Sequence, residues 1–382
     1  MYVKKIDNVL GFERLADKWQ SLQSHSDQRN VFLTYEWLRG WWEFAGDGKQ
    51  LYLLTVEDDD GEMVGLAPFM ITQKRLFGVT SIRQVTFLGT GAASSDHLDI
   101  LSRSGQEGKV AKAICAYLRQ HHAEWDGLHL TDLPQESITL DILRRQFADD
   151  YMWIEEEGAT CPYLPIIIDS WESYLENKSK RARRSIRYNL RRFENKLNGR
   201  FVVCETEPQV KRSLQRLFEL NTARWNEKGK HSAFAEEAFQ SFHQKIGQLF
   251  LSKGWLDLAY LEIENQIAAV MYSYKYGNKI FFYNTAFDAK WSKYSLGSVL
   301  MVYCLQRAFA EGIEEYDFLR GTHSYKYEWT SLAKENRNVT ILQQNRKMRM
   351  WHEMQQSTRK ARRQVKQHLP SNIKQILKRK NL

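Results

Sequence analysis

The stretch Tyr294-Ser295-Leu296-Gly297-Ser298-Val299-Leu300 opens an apolar helix. After that helix come Tyr316-Asp317-Phe318-Leu319-Arg320-Gly321 and then Tyr325-Lys326. Gly297 and Ser298 are small residues placed where the helix begins. A helix start presents unpaired N–H groups and a partial positive charge, and small residues let an anion approach them. The segment Tyr316–Leu319 reads as a buried strand that ends in basic residues. Strand, tight helix start, helix and second strand would together cradle a diphosphate such as that of coenzyme A. Ser295 reads equally as an ordinary N-cap, because a cap and an anion site share one geometry.

Other residues nearby carry chemistry. Arg320 and Lys326 follow the strand and could reach a phosphate or an acidic acceptor, or simply form a solvated loop. Tyr325 and Tyr294 could protonate a leaving thiolate, with core packing as the plainer role. Asp288 and Asp317 are candidate bases. Asp288 also suits a turn, and Asp317 a buried partner for Arg320. Arg224 and Trp225 could line an acceptor groove or pack a helix. His323 reads as a surface residue. Cys115, Cys161, Cys204 and Cys304 lack the short spacing of a metal or redox motif, so no metal site is expected and a reducing compartment fits.

These residues need elements to hold them. Leu51–Glu57 and Glu62–Phe69 flank an acidic turn, and Leu256–Glu262 and Gln266–Tyr272 flank a turn at Glu264-Asn265. Both read as hairpins of apolar strands. In each half a helix then runs into another apolar strand: Val110–Gln120 into Gly127–Leu130, and Val299–Ala310 into Tyr316–Leu319. The shared order predicts a tandem duplication, split near Cys161-Pro162-Tyr163-Leu164-Pro165. The expected class is α+β: two tandem domains, each a mixed, mainly antiparallel sheet flanked by helices, over residues 1–165 and 166–345. Residues 346–382 read as a basic helical tail, broken at Pro370. The first half's matching helix start contains Glu107, which would repel a phosphate. The donor therefore belongs to the second half, and the first is structural or shapes the acceptor site.

The 382-residue chain carries a net charge of +9, unevenly placed, and 13% aromatic residues that favour ring-lined grooves or a thick core. Residues 343–382 hold 12 Lys/Arg against one acid, and residues 178–200 hold 10 against one. The remainder is acidic. Residues 171–198 read as one long helix in which Ile186, Leu190, Phe193 and Leu197 form an apolar stripe. Arg183, Arg184, Arg187, Arg191 and Arg192 cover the other faces. That face is a solvated surface, an anionic polymer or lipid contact, or an RNA contact. Only Tyr188 and Phe193 interleave aromatic rings there. Ile373, Ile376 and Leu377 beside Lys378-Arg379-Lys380 suit an anionic membrane surface or a disordered basic end. The N-terminus lacks a signal-peptide core and no run would span a bilayer. The expected location is cytoplasmic, with peripheral attachment to the inner face of the membrane through the tail.

The chain resembles the GNAT superfamily, and within it the CelD-like, cellulose-biosynthesis-associated acetyltransferases. That family is similar to the Fem-type aminoacyl transferases, which are also built from two GNAT-like domains. The residues that carry the resemblance are the basic helix Lys180–Arg187, Leu220-Asn221-Thr222-Ala223-Arg224-Trp225 with Gly229 and Phe234, Asn284-Thr285-Ala286-Phe287-Asp288, Tyr294-Ser295-Leu296-Gly297, and Asp317–Gly321 with Tyr325-Lys326. The resemblance spans about residues 10–345 and is strongest from 171 to 330. Leu296 stands where the family turn has proline, and the superfamily's phosphate loop is reduced to Gly297-Ser298. The resemblance implies an enzyme that moves an acetyl or other acyl group from acetyl-CoA or another acyl-CoA to an amine or hydroxyl, on a polysaccharide or cell-envelope precursor. Asn284, Ser295, Gly297, Ser298, Arg320 and Lys326 would hold the donor. Asp288, Asp317 and Tyr325 would serve the chemistry, and Arg183, Arg187, Arg224 and Trp225 the acceptor. The strands Ile280–Thr285 and Tyr316–Leu319 would splay to admit the pantetheine arm. Two alternatives remain: a Fem-type enzyme that takes aminoacyl-tRNA as donor, and a non-catalytic anion- or membrane-binding module.

Overall fold

The structure is a computed structural model that describes residues 1–76, 80–168 and 170–368. The chain begins with β1 (Tyr2–Ile6), α1 (Val9–Glu13), α2 (Ala16–Ser24), α3 (Tyr35–Ala45), β2 (Gln50–Glu57), β3 (Met63–Leu76), β4 (Thr80–Phe87) and β5 (Leu101–Ser102). Then come α4 (Glu107–Gln120), β6 (Gly127–Pro134), α5 (Ile138–Phe147) and β7 (Met152–Pro165). The middle holds α6 (Trp171–Glu176), α7 (Lys180–Arg191), β8 (Arg200–Val203), α8 (Glu207–Glu227), α9 (Glu237–Ser252), β9 (Leu256–Ile263), β10 (Gln266–Tyr276), β11 (Lys279–Phe287), α10 (Leu296–Ala310), β12 (Glu315–Asp317) and α11 (Ser324–Tyr327). The last elements are β13 (Ala333–Leu342) and α12 (Arg346–His368).

Two compact units result. The first comprises Met1–Thr160 together with the segment that starts at Lys334, and the second comprises Cys161–Ala333. The division falls at the edge of the proline-bounded segment that the sequence marked. The sequence, however, assigned residues 334–345 to the second domain and set off 346–382 as a tail. In the structure β13 pairs antiparallel with β6, and α12 buries Met348 and Trp351 against Ile82 and Leu342. Met348 and Trp351, three positions apart, make a short apolar stripe on an otherwise basic helix. The stripe says that one side is buried but not against what; the preceding strand β13 decides where the helix packs. Pro370 and Ile373–Lys380 lie outside the described residues.

In the first unit the sheet order is β1-β2-β3-β4-β6-β13, with the first part of β7 beyond. The β4–β6 pair is parallel and limited to Gln84↔Gly127 and Val85↔Leu128. Helix α4 packs on one face, so closely that a Cβ at Gly65 would lie 2.3 Å from Val110 Cγ1. The second unit repeats this plan, with Tyr163–Pro165 of β7 followed by β12-β11-β10-β9-β8. Its parallel pair is β11–β12, which joins Lys279↔Glu315, Ile280↔Tyr316 and Phe281↔Asp317 and then stops. Helix α10 buries Val299, Leu300 and Leu305 in the same core as Met271, Ile280 and Phe282. Helices α8 and α9 supply Asn221 and His243 to the opposite face, where they meet Asn284, Tyr272 and Tyr283.

The long helix expected over 171–198 is three pieces. It ends at Glu176, restarts at Lys180 and turns π-helical over Arg192–Lys196. The Ser179 hydroxyl accepts from the Ala182 N–H and starts a new helix there. Arg183 donates to the carbonyls of Glu176 and Lys178, at 2.6 and 3.1 Å, and so satisfies the end of α6. The apolar stripe itself packs inward. Phe193 is fully buried, with Ile186, Leu190 and Leu197 against the core beside it. The Phe193 ring lies over Gly199, where a Cβ would come within 2.1 Å of it. Gly199→Ala is therefore expected to lower stability by about 1–3 kcal/mol, read as a lower urea midpoint at unchanged m.

Candidate functional site

Past Phe281 and Asp317 the two parallel strands of the second unit have no mutual pairing, although β11 runs on to Phe287. On its other side β11 stays bonded to β10 as far as Ala269↔Phe287. That ladder is irregular: Tyr272 pairs with Asn284 and Ser273 with Phe282, which leaves Tyr283 as an extra residue. Such a bulge turns a strand locally and frees main-chain groups from the ladder. Phe281 and Phe282 are buried, while Tyr283, Asn284 and Thr285 are half-buried. Beyond Phe281 the edge of β11 that faced β12 has no strand partner.

The start of α10 stands beside β11, next to Phe287. Ser295 is left-handed, at φ 54° and ψ 42°, and its side chain makes no capping bond to α10. Ser295 is therefore not the hydroxyl cap that its position in the sequence suggests. Its carbonyl accepts from the Ser298 and Val299 N–H groups, and its hydroxyl caps nothing. The N–H groups of Leu296 and Gly297 have no acceptor within the helix, as geometry requires of a first turn. A Cβ on Gly297 would meet Phe287 at 3.6 Å, an ordinary contact. Packing therefore does not demand glycine there.

Phe287 ties the corner together. The Arg224 guanidinium lies 5.6 Å from its ring centre. Tyr325 approaches Phe282 edge-on at 6.5 Å and stacks with His323 at 6.0 Å. Burial raises the Tyr325 phenol above its ordinary range, with the Arg224 charge pulling the other way. The phenol is protonated at neutral pH and can donate. Asn284 accepts from Asn221 Nδ2 at 3.1 Å, and Asn221 Oδ1 accepts from the Ser232 hydroxyl at 2.8 Å. With its oxygen so engaged, the Asn284 amide turns its own N–H groups elsewhere. Gly297, Ser298, Asn284, Arg224 and Tyr325 are thus drawn to one corner. Trp225 sits one residue along α8, with Lys228 and Lys230 over its ring at 5.6 and 5.3 Å.

Other residues singled out by sequence are committed to structure. Asp288 receives the Lys290 N–H at 2.9 Å and pairs with Arg216 at 2.7 Å. Asp317 is fully buried and its Oδ1 accepts from the Leu319 N–H at 2.8 Å. Lys326 is also buried, and its ammonium donates to the carbonyls of Leu319 and Arg320 at 2.9 and 2.6 Å. Rather than extending toward a phosphate, it pins the turn after β12, where Leu319 has φ 55°. Arg320 is half-buried at that turn. Tyr294 belongs to the core. Arg183 holds the α6 end, and Arg187 is exposed on α7.

Sequence reasoning missed the bulge at Tyr283, because an extra residue in an apolar strand leaves the alternation readable either way. It also missed a set of rings and cations around the helix start. Arg192 lies 4.5 Å from the Tyr294 ring and 5.2 Å from that of Tyr188. Lys290 lies 4.5 Å from Trp291, and Lys293 lies 5.3 Å from Tyr294. Chain positions about a hundred residues apart meet here, as in the 3.1 Å bond from Arg192 to the Lys293 carbonyl, and no local pattern signals it. Among the described residues no group of three or more His, Cys, Asp or Glu is placed to hold a metal, and no helix is long and apolar enough to cross a membrane.

Residues 180–327 match the sequence pattern of the family described as "Acetyltransferase (GNAT) domain". The second unit carries a GNAT domain. That match lies wholly within the second unit and marks it as an acyltransferase domain, while the first unit repeats its order of strands and helices. No curated protein matches it in sequence. Among solved structures it is similar to FemX, at 11% identity over 88% of this chain and 96% of that one, with a TM-score of 0.59. A conserved protein of unknown function from Bacteroides thetaiotaomicron VPI-5482 shares 10% identity over 90% and 100% of the two chains, TM-score 0.55. L-PGS from Bacillus licheniformis shares 14% over 86% and 92%, TM-score 0.52. At such identities the likeness is one of fold.

Two measurements check these structural roles. Lys326→Met should cost about 1–3 kcal/mol, because two carbonyls lose a buried charged donor, and it should show as a lower melting temperature without ligand. His243 is fully buried among Phe234, Phe239 and Phe242, and burial depresses its imidazole to about 3. The unfolded ring binds a proton near pH 6.5 and the folded one does not, so the unfolded state gains protons as pH falls. Stability should decline by about 1.4 kcal/mol per pH unit from roughly pH 6.5 toward 3, and His243→Gln should flatten that part of the urea-midpoint profile.

Proposed function

We propose that the second unit transfers an acyl group, acetyl in the simplest case, from acyl-CoA to an amine or hydroxyl. The observation that carries this reading is the end of the β11–β12 pairing at Phe281↔Asp317 beside a helix start with no side-chain cap. The N–H groups of Leu296 and Gly297 bind the diphosphate, favoured by the helix dipole. Arg192 and Lys293, which approach the same helix start through Tyr294, add positive charge. The pantetheine arm runs between the parting strands and leaves its thioester at the Tyr283 bulge.

There the acceptor nitrogen or oxygen attacks the thioester carbonyl. A new N–C or O–C bond forms, and the carbonyl oxygen takes negative charge that freed β11 N–H groups stabilise. Collapse breaks the C–S bond, and Tyr325 gives its proton to the departing thiolate. Asp288 and Asp317 are held by other bonds, so the acceptor's proton passes to solvent in this scheme. Holding both reactants in one slot supplies much of the acceleration. The resemblance to the CelD-like family favours a polysaccharide or cell-envelope precursor as acceptor and a cytoplasmic setting at the membrane face.

A second reading has its own support. The exposed Arg184, Arg187 and Arg191 of α7 continue into the Arg192, Tyr188, Trp291 and Tyr294 cluster. Cations interleaved with rings suit single-stranded nucleic acid, so an aminoacyl-tRNA could serve as donor in place of acyl-CoA.

Acetyl-CoA should raise the melting temperature, by the equivalent of about 2.7 kcal/mol at a hundredfold excess over Kd. Gly297→Glu should remove the shift while leaving the ligand-free melt within a degree or so. Tyr325→Phe should keep the shift and lower kcat about a hundredfold. No shift with acetyl-CoA, joined to a salt-sensitive tRNA gel shift lost on reversing Arg184, Arg187 and Arg191, would replace the first reading with the second.

A further inference from the structure

The first unit has a splay of its own, and its contents differ. Strands β4 and β6 pair in parallel only at Gln84↔Gly127 and Val85↔Leu128, yet run on to Phe87 and Pro134. The helix that follows, α4, starts with Glu107, whose carboxylate accepts from the Gly105 N–H at 3.0 Å. That helix start already holds a negative charge, so a phosphate donor has no place there.

One face of this splay is polar. A Cβ on Gly127 would point at Leu342 and Met348, so Gly127 faces α12. By alternation His129 and Thr131 share that face on β6, as do Gln84 and Thr86 on β4 beyond Ile82. His129 Nδ1 bonds the Thr340 hydroxyl at 2.8 Å across to β13. The β6 strand bulges where Thr131 and Asp132 oppose the single Asn338, with Asp132 at φ 61°. Gln84 Oε1, Thr86 Oγ1 and Thr131 Oγ1 are buried without a hydrogen-bond partner. Gln84 is 1% exposed and Thr86 5%. Buried polar atoms are nearly always paired, and three in one strip need an explanation.

The loop that leaves β4 crosses this strip. Within it Ala93, Ser94 and His97 all have positive φ, at 62°, 43° and 56°. Trp37 and Trp41 hold it through Ser95 and the Ala92 carbonyl, and His97 Nδ1 bonds Asn336 Oδ1 on β13 at 3.0 Å. The loop therefore leaves β4, touches β13 two strands away at His97, and returns to β5 beside β3. Strain of this kind persists where a site requires it.

We propose that this strip is a binding site for a neutral, hydroxyl-rich ligand, a saccharide, entering past the half-exposed His129, Thr131 and Thr340 beneath the loop. Hydroxyls, an amide and an imidazole face it, with the Asp132 carboxylate at the bulge beside them. Such groups both donate to and accept from sugar hydroxyls, and they carry no fixed positive charge to favour an anion. The Gln84, Thr86 and Thr131 atoms gain partners when the ligand enters. The saccharide class agrees with the acceptor favoured for the second unit, but the binding site stands without it.

Isothermal titration of the full chain with cellobiose and with N-acetylglucosamine, in the absence of any acyl-CoA, tests this. At least one saccharide should bind saturably, and inorganic phosphate should not. Thr86→Val and Thr131→Val keep shape and remove a hydroxyl. Each should weaken saccharide binding about tenfold and raise the melting temperature, since an unpaired buried oxygen is gone. No saturable heat at millimolar saccharide overturns the proposal. So does saccharide binding that both variants leave unchanged, and so does a fall in melting temperature in both, which would mean the hydroxyls hold structural water. Because no donor is present, a failure of the acyl-transfer reading leaves this result intact, and the reverse holds too.

Discussion

The site of the second unit depends on a parallel strand pair that is allowed to end early. Three residue pairs join β11 to β12, and then β12 turns away at Asp317 while β11 continues. Every later feature needs that departure. Buried main-chain groups in a sheet are normally paired, so an unpaired strand edge is costly unless something else meets it. The turn that carries β12 away is held from within: Asp317 receives the Leu319 N–H, and Lys326 bonds the carbonyls of Leu319 and Arg320. A buried ammonium and a buried carboxylate, two groups expensive to dehydrate, keep the strands apart.

Much of this was legible in the sequence, and the reasons are physical. Hairpins announce themselves through apolar runs either side of a polar turn, and both were found. The helix start at Gly297 was visible because small residues before an apolar run are unusual. The stripe Ile186, Leu190, Phe193 and Leu197 showed which side of the basic segment faces inward. What stayed hidden depended on partners distant in the chain. Nothing local says that Tyr283 is an extra residue or that Arg192 meets Tyr294, whereas the break at Ser179 rests on a local serine cap that the charge run obscures. The charged residues near β12 read two ways: Asp317 looks like a base and Lys326 like a phosphate ligand because they are charged and near a strand end, and charge in a core serves equally to lock a turn.

The two units show how one plan can be turned to different chemistry. Each has a parallel pair that parts, and each follows it with a helix. In the second unit the helix start is small and uncapped; in the first it is occupied by Glu107. In the second the parting strands are lined by Phe282 and Phe287 with Arg224 near; in the first the strip carries threonines, His129 and Gln84. A few substitutions at corresponding places thus separate an uncapped helix start from one already filled by its own carboxylate.

The order of strands β6-β13-β7 has a consequence for how the chain matures. β6 and β7 are near neighbours in sequence, yet the strand between them is made only after the whole second unit has been synthesised. On the ribosome the later unit is the one whose residues are contiguous, so it can close first. The earlier unit must wait with a gap in its sheet and two exposed strand edges. Those edges invite pairing with other chains until β13 arrives to fill the gap between them.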